Sequence, residues 1–479
     1  MKHFYSLFLI LYVLFVHAQN EPPGISWSKD YGTSSTYSDA ESLTKFPDGG
    51  FLIGGRLNHT TNSPKVELVR TDGSGNLMWQ KTYFQETNSY YLSGISIDSN
   101  SNIFALLDSY PDNNQNDYSS HLTKLDGSGN LLWRKELGVP NYVAYFNNLI
   151  SSLDGSSLLV TGNYSDEFET EYGYFFAAYD LNNGNQVWSK LIPMTLEMYP
   201  YELLATADGG YLLAIEVEDA EGKATTLLKK FDSNRIPIWE RELDFSPATD
   251  NTTISYHMIQ NSAGDYVLAG SYYMGLSDKD NLFTVKIDNS GNEVWRKIFA
   301  LQTDNRVDDV KIIEFSPLQY TLGYSTKSNA SNVTTTSVFL KKMDNIGNTV
   351  WERNYGYQTF TGEDYSGLEK TNDNQLMLLT TKNSDSDAKF YSLFKLGGTL
   401  GVKNSEVFGL KIVPNPTSDF IKIQGLESNN REFQLFDLSG RIMKKGVLSA
   451  DNSIDIRDLE KGTYMLKVAN SKTMKVMKK

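Results

Sequence analysis

Paired carboxylates are the residues of this 479-residue chain whose types and spacing could perform catalysis. They are the adjacent pairs Asp308-Asp309 and Glu363-Asp364, together with Glu197 and Glu202 on either side of a tyrosine-rich segment. Two carboxyl groups held at a fixed separation can cleave a glycosidic bond, one as the acid and the other as the base or nucleophile. Carboxylate pairs in an acidic protein are also typical of solvated loops, so the pattern leaves both interpretations open.

Other catalytic, cofactor and metal chemistry has no support in the sequence. The chain contains no cysteine, which excludes disulfides, cysteine nucleophiles and cysteine-ligated zinc. Beyond residue 18 the histidines are His59, His121 and His257, far apart and without metal-ligand spacing. Nucleophile-elbow, phosphate-loop and dinucleotide motifs are missing, and the Asp-Gly-Ser-Gly-Asn segments lack the terminal Glu of a calcium loop. We assign no catalytic residue, metal or cofactor from the sequence.

Tyrosines form a second set of candidates, because they recur in the segments that precede the first strand of each repeated unit described below. The set comprises Tyr37, Tyr91, Tyr145, Tyr199, Tyr256 and Tyr365. Aromatic rings gathered at one end of a fold could stack on sugar rings or on peptide side chains. The alternative is that each ring packs at the entrance of its strand, and the sequence does not separate the two.

The element that must position these residues is a repeat ending in tryptophan. The phrase LDGSGNLLW (125–133) returns, with variations, at 71–79, 180–188, 231–239, 287–295 and 343–351. The tryptophans are Trp27, Trp79, Trp133, Trp188, Trp239, Trp295 and Trp351, spaced by 52, 54, 55, 51, 56 and 56 residues. A near-constant period of this size indicates a repeat architecture.

Each repeat reads as four short strands joined by turns. In residues 79–132 the strand-like runs are 92–97, 103–110, 121–126 and the segment that begins at 131. Asp, Asn and Gly in the turns tolerate the left-handed conformations of tight hairpins. Four antiparallel strands in such a unit predict one blade of a β-propeller, with the tryptophan packed between blades.

The two ends of the repeat array complement each other. The last unit, near 365–396, has three strands and no tryptophan, whereas strand 25–31 carries Trp27 without three strands before it. Joining them closes the ring and removes an exposed sheet edge. We therefore predict an all-β protein, a seven-bladed β-propeller over residues 19–396 closed by strand 25–31, followed by a small C-terminal β-sandwich.

The repeats resemble those of secreted β-propellers common in Bacteroidetes-type bacteria. The resemblance rests on W-x-K-x-Y-G (27–32), PDGGFLIGG (47–55) and the D-x-x-G-N-x-x-W turns. The turns are also distantly similar to the tryptophan-docking repeats of quinoprotein dehydrogenases, a similarity that does not extend to the quinone cofactor.

Both termini predict export. Residues 1–18 read as a signal peptide, with Lys2 before an apolar run (4–16) too short to span a membrane as a helix. At the other end, residues 397–409 form a linker. Residues 410–479 then resemble a type A sorting domain of the type IX secretion system, through Pro414-Asn415-Pro416, FDLSGR (436–441) and L-x-x-G-x-Y (459–464). The resemblance implies passage through the outer membrane with the secretion machinery as partner, followed by release or surface attachment.

The net charge of the chain restricts the classes of partner that it could bind. The chain has a net charge of −14, of which residues 405–479 contribute +4 and the rest −18. An acidic body argues against nucleic-acid binding. We predict a non-catalytic binding or adhesion module for an extracellular carbohydrate or protein ligand, with no transmembrane anchor. The alternative is a secreted hydrolase or lyase that acts on polysaccharide.

Overall fold

The computed structural model describes most of the chain between residues 21 and 479. The described ranges are 21–32, 38–57, 64–84, 88–111, 118–168, 170–194, 198–218, 223–245, 253–274, 279–301, 305–328, 335–356, 364–383, 389–397, 411–413, 415–424, 432–437, 441–449, 452–468 and 474–479. They divide into two compact units, one within residues 1–398 and the other within 399–479. The predicted signal peptide, and the predicted linker apart from Gly397, lie outside the described residues.

Strands dominate the described residues of the first unit, where they form four-stranded antiparallel sheets in chain order. Sheet 1 contains β2 (Ser38–Lys45), β3 (Phe51–Leu57), β4 (Lys65–Thr71) and β5 (Leu77–Tyr83); sheet 2 contains β6 (Asn88–Ile97), β7 (Ile103–Pro111), β8 (Ser119–Leu125) and β9 (Leu131–Leu137); sheet 3 contains β10 (Val143–Ser151), β11 (Ser157–Ser165), β12 (Tyr172–Asp180) and β13 (Gln186–Met194); sheet 4 contains β14 (Met198–Ala205), β15 (Tyr211–Glu218), β16 (Ala224–Phe231) and β17 (Pro237–Leu243).

The remaining sheets of this unit follow the same plan. Sheet 5 contains β18 (Thr253–Gln260), β19 (Tyr266–Met274), β20 (Lys279–Ile287) and β21 (Glu293–Ala300); sheet 6 contains β22 (Asn305–Ser316), β23 (Gln319–Ser328), β24 (Thr335–Met343) and β25 (Thr349–Asn354); sheet 7 contains β26 (Asp364–Lys370), β27 (Leu376–Asn383), β28 (Lys389–Leu396) and, paired to β28, β1 (Ile25–Tyr31). The all-β prediction is confirmed.

The sheets follow one another around a ring. The first strand of each sheet lies beside the first strand of the next, and β26 of sheet 7 lies beside β2 of sheet 1. Each hydrophobic cluster of the first unit combines buried residues from two consecutive sheets, including one shared by sheets 7 and 1. Inner strands are buried on both faces, which is why a run such as Leu212–Ile215 is apolar without alternation. This is the stacking of a β-propeller.

Tryptophans of the outer strands, apart from Trp351, dock on the turn of the next sheet. In sheet 1 the Trp79 Nε1 donates to the Gly127 carbonyl at 3.1 Å, and the Tyr83 hydroxyl donates to the Gly129 carbonyl at 2.8 Å. Lys81 lies between them and binds the Ser128 carbonyl at 2.7 Å. The two motifs of the repeat, W-x-K-x-Y and D-x-x-G-N, are therefore the two halves of one contact.

The docking continues across the junction of the chain ends. Lys29 of β1 binds Ser74 and Asn76 in the turn of sheet 1, and the Tyr31 hydroxyl donates to the Gly75 carbonyl at 2.6 Å. In sheet 7 no covalent turn joins β28 to β1. There the Tyr355 hydroxyl donates to the Pro23 carbonyl at 2.7 Å, and the N–H of Gly397 donates to the Gly24 carbonyl at 2.9 Å. The N-terminal segment thus supplies the docking surface that a turn provides elsewhere.

Basic residues at the ends of third strands fasten the other set of turns. Lys230 and Arg70, both almost fully buried, bind Asp208 and Asp48 at 2.9 and 2.5 Å. Lys286 binds Asp265 at 2.7 Å in the same way. Each aspartate belongs to the hairpin turn between the first and second strands of the same sheet. The repeated basic residue therefore serves the fold of the repeat.

The second unit contains two sheets around a common core. One consists of β29 (Lys411–Val413), β30 (Phe420–Gln424) and β33 (Ser453–Asp455), and the other of β32 (Ile442–Val447), β31 (Glu432–Phe436), β34 (Gly462–Val468) and β35 (Met474–Lys478). Ile421, Leu435 and Tyr464 are buried in one cluster. The Asn415 side chain donates to the Lys475 carbonyl and accepts from the Met477 N–H, both at 2.8 Å, and so fixes the last strand.

The docking contact predicts a difference between two glycine substitutions. Gly75 and Gly155 both have positive φ, +74° and +66°, so alanine at either position costs about 1 kcal/mol in the backbone. A Cβ on Gly75 would also overlap the Trp27 ring, whereas a Cβ on Gly155 meets open space. We expect Gly75→Ala to lower the free energy of unfolding by about 1–3 kcal/mol more than Gly155→Ala does. Denaturant unfolding measures both, and equal losses would contradict the docking model.

Candidate functional site

Antiparallel order gives the propeller two different faces. Turns between the first and second strands, and between the third and fourth, lie at one end of every sheet, which we call the turn face. Connections between sheets, and those between second and third strands, lie at the opposite end, the loop face. Tyr37 directly precedes a first strand, and the other tyrosine candidates lie in the first half of one, towards the loop face.

The structure brings two of these candidates into one row of rings at the loop face. Tyr91 in β6 contacts Tyr110 in β7, Tyr110 contacts Tyr118 just before β8, and Tyr118 contacts Tyr145 in β10 of the next sheet. The centroid distances are 5.8, 5.2 and 4.7 Å. We call these four residues the tyrosine row. Tyr145 is 41% exposed, and the other three are partly buried.

A partly buried carboxylate, that of Asp108, binds Tyr118 of the row through a hydrogen bond. The Tyr118 and Ser120 hydroxyls donate to Asp108 Oδ1 at 2.6 and 2.7 Å, and Ser93 donates to Oδ2. Burial raises the pKa of Asp108 although these three donors favour the ionised form. Because Tyr118 is bound through its hydroxyl, its ring has a fixed orientation between Tyr110 and Tyr145.

Polar groups lie at both ends of the row. The guanidinium of Arg56 in β3 lies 5.4 Å from the centroid of Tyr91 and pairs with Glu41 in β2. Burial raises the pKa of Glu41 to about 7, although Arg56 opposes the shift. At the other end, Asn147 and Asn163 flank Tyr145, and their amides are 3.3 Å apart. The row with its polar ends therefore draws on three consecutive sheets.

The other predicted tyrosines do not extend this row in the described residues. Tyr37 lies outside the described residues, and so do the side chains of Tyr199 and Tyr256, although their backbones belong to β14 and β18. Tyr365 is a correction to the prediction: it is only 4% exposed and lies in the hydrophobic cluster between sheets 6 and 7. Its ring fills the space beside Gly323, where a Cβ would overlap it. A ring buried in this way cannot stack on a ligand.

The sequence did not single out Tyr110, Tyr118, Asp108 or Arg56. The available signal was topological, because Tyr110 lies near the end of a second strand and Tyr118 directly precedes a third. In an antiparallel sheet these ends lie on the same side as the start of the first strand. Tyr91 and Tyr145, the half of the row that lies in first strands, were therefore predicted, and Tyr110 and Tyr118 were not.

First strands share a β-bulge that shapes the inner wall of the ring. Within the described backbone every first strand shifts register at least once, as at Ala40/Ser42 and Leu92/Gly94. A bulge twists the strand and redirects its side chains. Side chains near the bulges form polar contacts with the next first strand. The contacts are Glu41 with the Leu92 N–H, Ser96 with Ser151, Asn148 with Glu202, Glu202 with the Met258 N–H, His257 with the Ile312 N–H, Lys311 with Glu369, and Lys45 with the Lys370 carbonyl.

The paired carboxylates occupy different environments. Glu202 joins three first strands, since it accepts from Asn148 Nδ2 at 3.3 Å and from the Met258 N–H. Asp309 lies at the bulge of β22 and accepts the Val310 N–H at 2.9 Å. Glu197, Glu363 and the side chains of Asp308 and Asp364 lie outside the described residues. The carboxylate with the clearest contacts is thus a structural one.

Neither the two described histidines nor any cluster of metal-ligating side chains forms a second functional site among the described residues. Burial lowers the pKa of His257 to about 3 and that of His121 to about 4, so both are neutral near pH 7. The His257 Nδ1 accepts the Ile312 N–H at 3.4 Å. Across the described ranges no group of three or more His, Asp or Glu residues could hold a metal ion.

Glu202 predicts a pH dependence of stability. Burial raises its pKa to about 8 from 4.5, so the folded state holds a proton that the unfolded state releases. Folding is therefore favoured below pH 4.5 and loses stability as the pH rises towards 8. Gln at this position stays neutral and keeps an acceptor for Met258. We expect Glu202→Gln to flatten the decline and to gain about 1–3 kcal/mol at pH 8 relative to pH 5.

The measurement is denaturant unfolding at several pH values, with Glu240→Gln as the matched control. Glu240 lies on outer strand β17, is 63% exposed and pairs with Lys229 at 3.2 Å. An unchanged pH profile in Glu202→Gln would overturn the assignment of a buried, protonated carboxyl.

Comparison with known proteins separates the two units. Residues 411–479 match the family described as "Secretion system C-terminal sorting domain". No curated protein matches the chain. In the described residues, no helix has the length and apolar character needed to cross a membrane.

Several solved structures are similar to the chain. A protein of unknown function from Dyadobacter fermentans is 9% identical, with 67% of this chain and 99% of that chain covered at a TM-score of 0.47. The propeller domain of the Trilobed protease from Pyrococcus furiosus is 10% identical, with 75% and 95% covered at 0.44. The Dos1 propeller is 11% identical, with 80% and 98% covered at 0.44.

The strand order of the first unit identifies the β-propeller fold. The last 69 residues identify the protein as an exported one. Two described residues of the motifs that predicted a sorting domain make defined contacts: Asn415 fixes the last strand, and the Tyr464 hydroxyl donates to the Glu460 carbonyl at 2.8 Å. A sorting domain of this type indicates export across the outer membrane. The chain is a β-propeller protein with a C-terminal sorting domain of the type IX secretion system, destined for the cell surface or the medium.

Proposed function

We propose that this exported protein is a non-catalytic binding module that holds a carbohydrate on its tyrosine row. In this proposal the seven sheets are the blades of one closed ring, residues 1–18 are a signal peptide removed on export, and the second unit is a small β-sandwich used for sorting. The observation that carries the proposal is the row itself, four tyrosine rings in contact with Tyr145 exposed at the loop face.

Carbohydrate is the ligand class that best fits the groups present. Sugar rings have apolar C–H faces that pack on aromatic rings and polar rims that exchange hydrogen bonds. The row supplies the rings, and the amides of Asn147 and Asn163 beside Tyr145 supply donors and acceptors. Asp108 is committed to hydroxyls of the protein, so it supports the rings and does not compete for the ligand.

The alternative function is that of a hydrolase or lyase acting on polysaccharide. The carboxylates support it less strongly than the tyrosine row supports a binding module. Glu202 bridges first strands, and Asp309 lies at a bulge of the inner wall, away from the residues of the row. Such positions suit the cohesion of the ring. The rival keeps a clear signature, since product release that is lost in Asp309→Asn or Asp364→Asn would favour it.

Export depends on the second unit in this proposal. Deleting residues 405–479 should strand the protein in the periplasm of its own host, because the sorting motifs are removed while the propeller keeps its core. Fractionation of cells and medium measures the result. Tyr145→Ala in the full chain is the control and should be exported normally. Normal secretion of the truncated chain would refute a sorting role.

Ligand binding depends on the exposed end of the row. Recombinant residues 19–404 are screened against glycans and peptides, and binding and product release are both followed. We expect glycan binding without turnover, and Tyr145→Ala should weaken it by about 5- to 30-fold, equivalent to about 1–2 kcal/mol of stacking. Phe168→Ala is the matched control, because Phe168 is 78% exposed in the connection between β11 and β12, and no ring contact joins it to the row among the described residues. Equal effects of the two substitutions would contradict the assigned site.

A further inference from the structure

The length of the tyrosine row says more about the ligand than its chemistry alone. Its rings come from sheets 2 and 3, and Arg56 of sheet 1 continues the row past Tyr91. One sugar ring stacks on one aromatic ring, so a run of rings from Tyr91 to Tyr145 offers more surface than a single sugar covers. The fixed ring of Tyr118 connects the two sheets at the middle of the run.

We propose that the tyrosine row binds a linear, uncharged glycan chain along its length, so that successive sugar units contact rings of two neighbouring sheets. This inference rests on the proposed function and adds the length and charge of the ligand. The linear binding mode and the lack of charge on the ligand are supported by different observations.

The contacts between sheets support a chain that runs across the seam. Tyr118 and Tyr145 belong to different sheets and have the shortest centroid distance of the row, 4.7 Å. Tyr91 and Tyr110 meet edge to face at 87°, so they present differently oriented surfaces along one line. A ligand confined to one sugar unit would use one end of this line and leave the other uncovered.

The charges around the row support an uncharged chain. The guanidinium of Arg56 is already paired with Glu41, so it is not an open anion site. Asp108 is partly buried and bound by three hydroxyls of the protein. Residues 1–404 carry a net charge of −18, which repels polyanions approaching from solution.

The experiment is calorimetric titration of the mature full-length protein with sugars of increasing length. The probes are neutral oligosaccharides of β-1,4- and β-1,3-linked glucose from one to six units, and galacturonate oligosaccharides of the same lengths. We expect affinity to rise at least 10-fold from the monosaccharide to the tetrasaccharide and then to level off. Neutral chains should bind more tightly than uronate chains of equal length.

Substitutions at Tyr91, at the opposite end of the row from Tyr145, test the path of the glycan chain. Tyr91→Ala should shorten the length at which affinity levels off, while Tyr91→Phe, which keeps the ring, should not. Phe168→Ala should leave the length dependence unchanged. Melting temperatures of the variants identify any that fail to fold, and the Tyr91→Phe comparison remains informative in that case.

The outcomes separate this inference from the function on which it rests. Glycan binding with an affinity independent of chain length, or stronger binding of uronates, overturns the linear, uncharged chain and leaves a carbohydrate site standing. Absence of binding to every sugar, with peptides bound instead, overturns the proposed function as well.

Discussion

The contact between an outer-strand tryptophan and the Asp-Gly-Asn turn of the next sheet is the interaction on which this structure depends. A single four-stranded sheet cannot cover both of its apolar faces, so it is stable only between neighbours. Docking through Trp79, Lys81 and Tyr83 onto the turn around Gly129 fixes how consecutive sheets align. The same contact made by β1 on Gly75 carries the alignment across the chain ends.

A second layer of contacts stabilises the ring from inside. Polar side chains near the bulges, such as Glu202 and His257, bridge neighbouring first strands, where a twisted backbone leaves groups that a regular sheet would pair. Both groups are largely desolvated between neighbouring strands, which explains the raised pKa of Glu202 and the lowered pKa of His257. In this protein the shifted pKa values of Glu202 and His257 therefore reflect contacts that hold neighbouring sheets together.

The turn face and the loop face of the propeller differ in how far their residues are committed to the fold. On the turn face, aspartates and glycines are committed to tight turns and to docking, so substitution there affects folding. On the loop face, Tyr145 remains 41% exposed although its ring contacts Tyr118. This division allows a repeat scaffold to keep its core contacts while the loop face carries a function specific to one protein.

The sequence by itself determined the repeat, the all-β class and the sorting domain, because each depends on local patterns. Turns need residues that accept positive φ, as Gly75 does, and the sorting motifs fix local contacts such as those of Asn415. The site was decided by tertiary structure. Tyr365 directly precedes the bulge of its first strand, as the buried Phe146 does, whereas the exposed Tyr145 lies one residue earlier. Burial depends on where the bulge falls in the strand and on what the neighbouring sheet places opposite a residue, and the residue types alone do not give either.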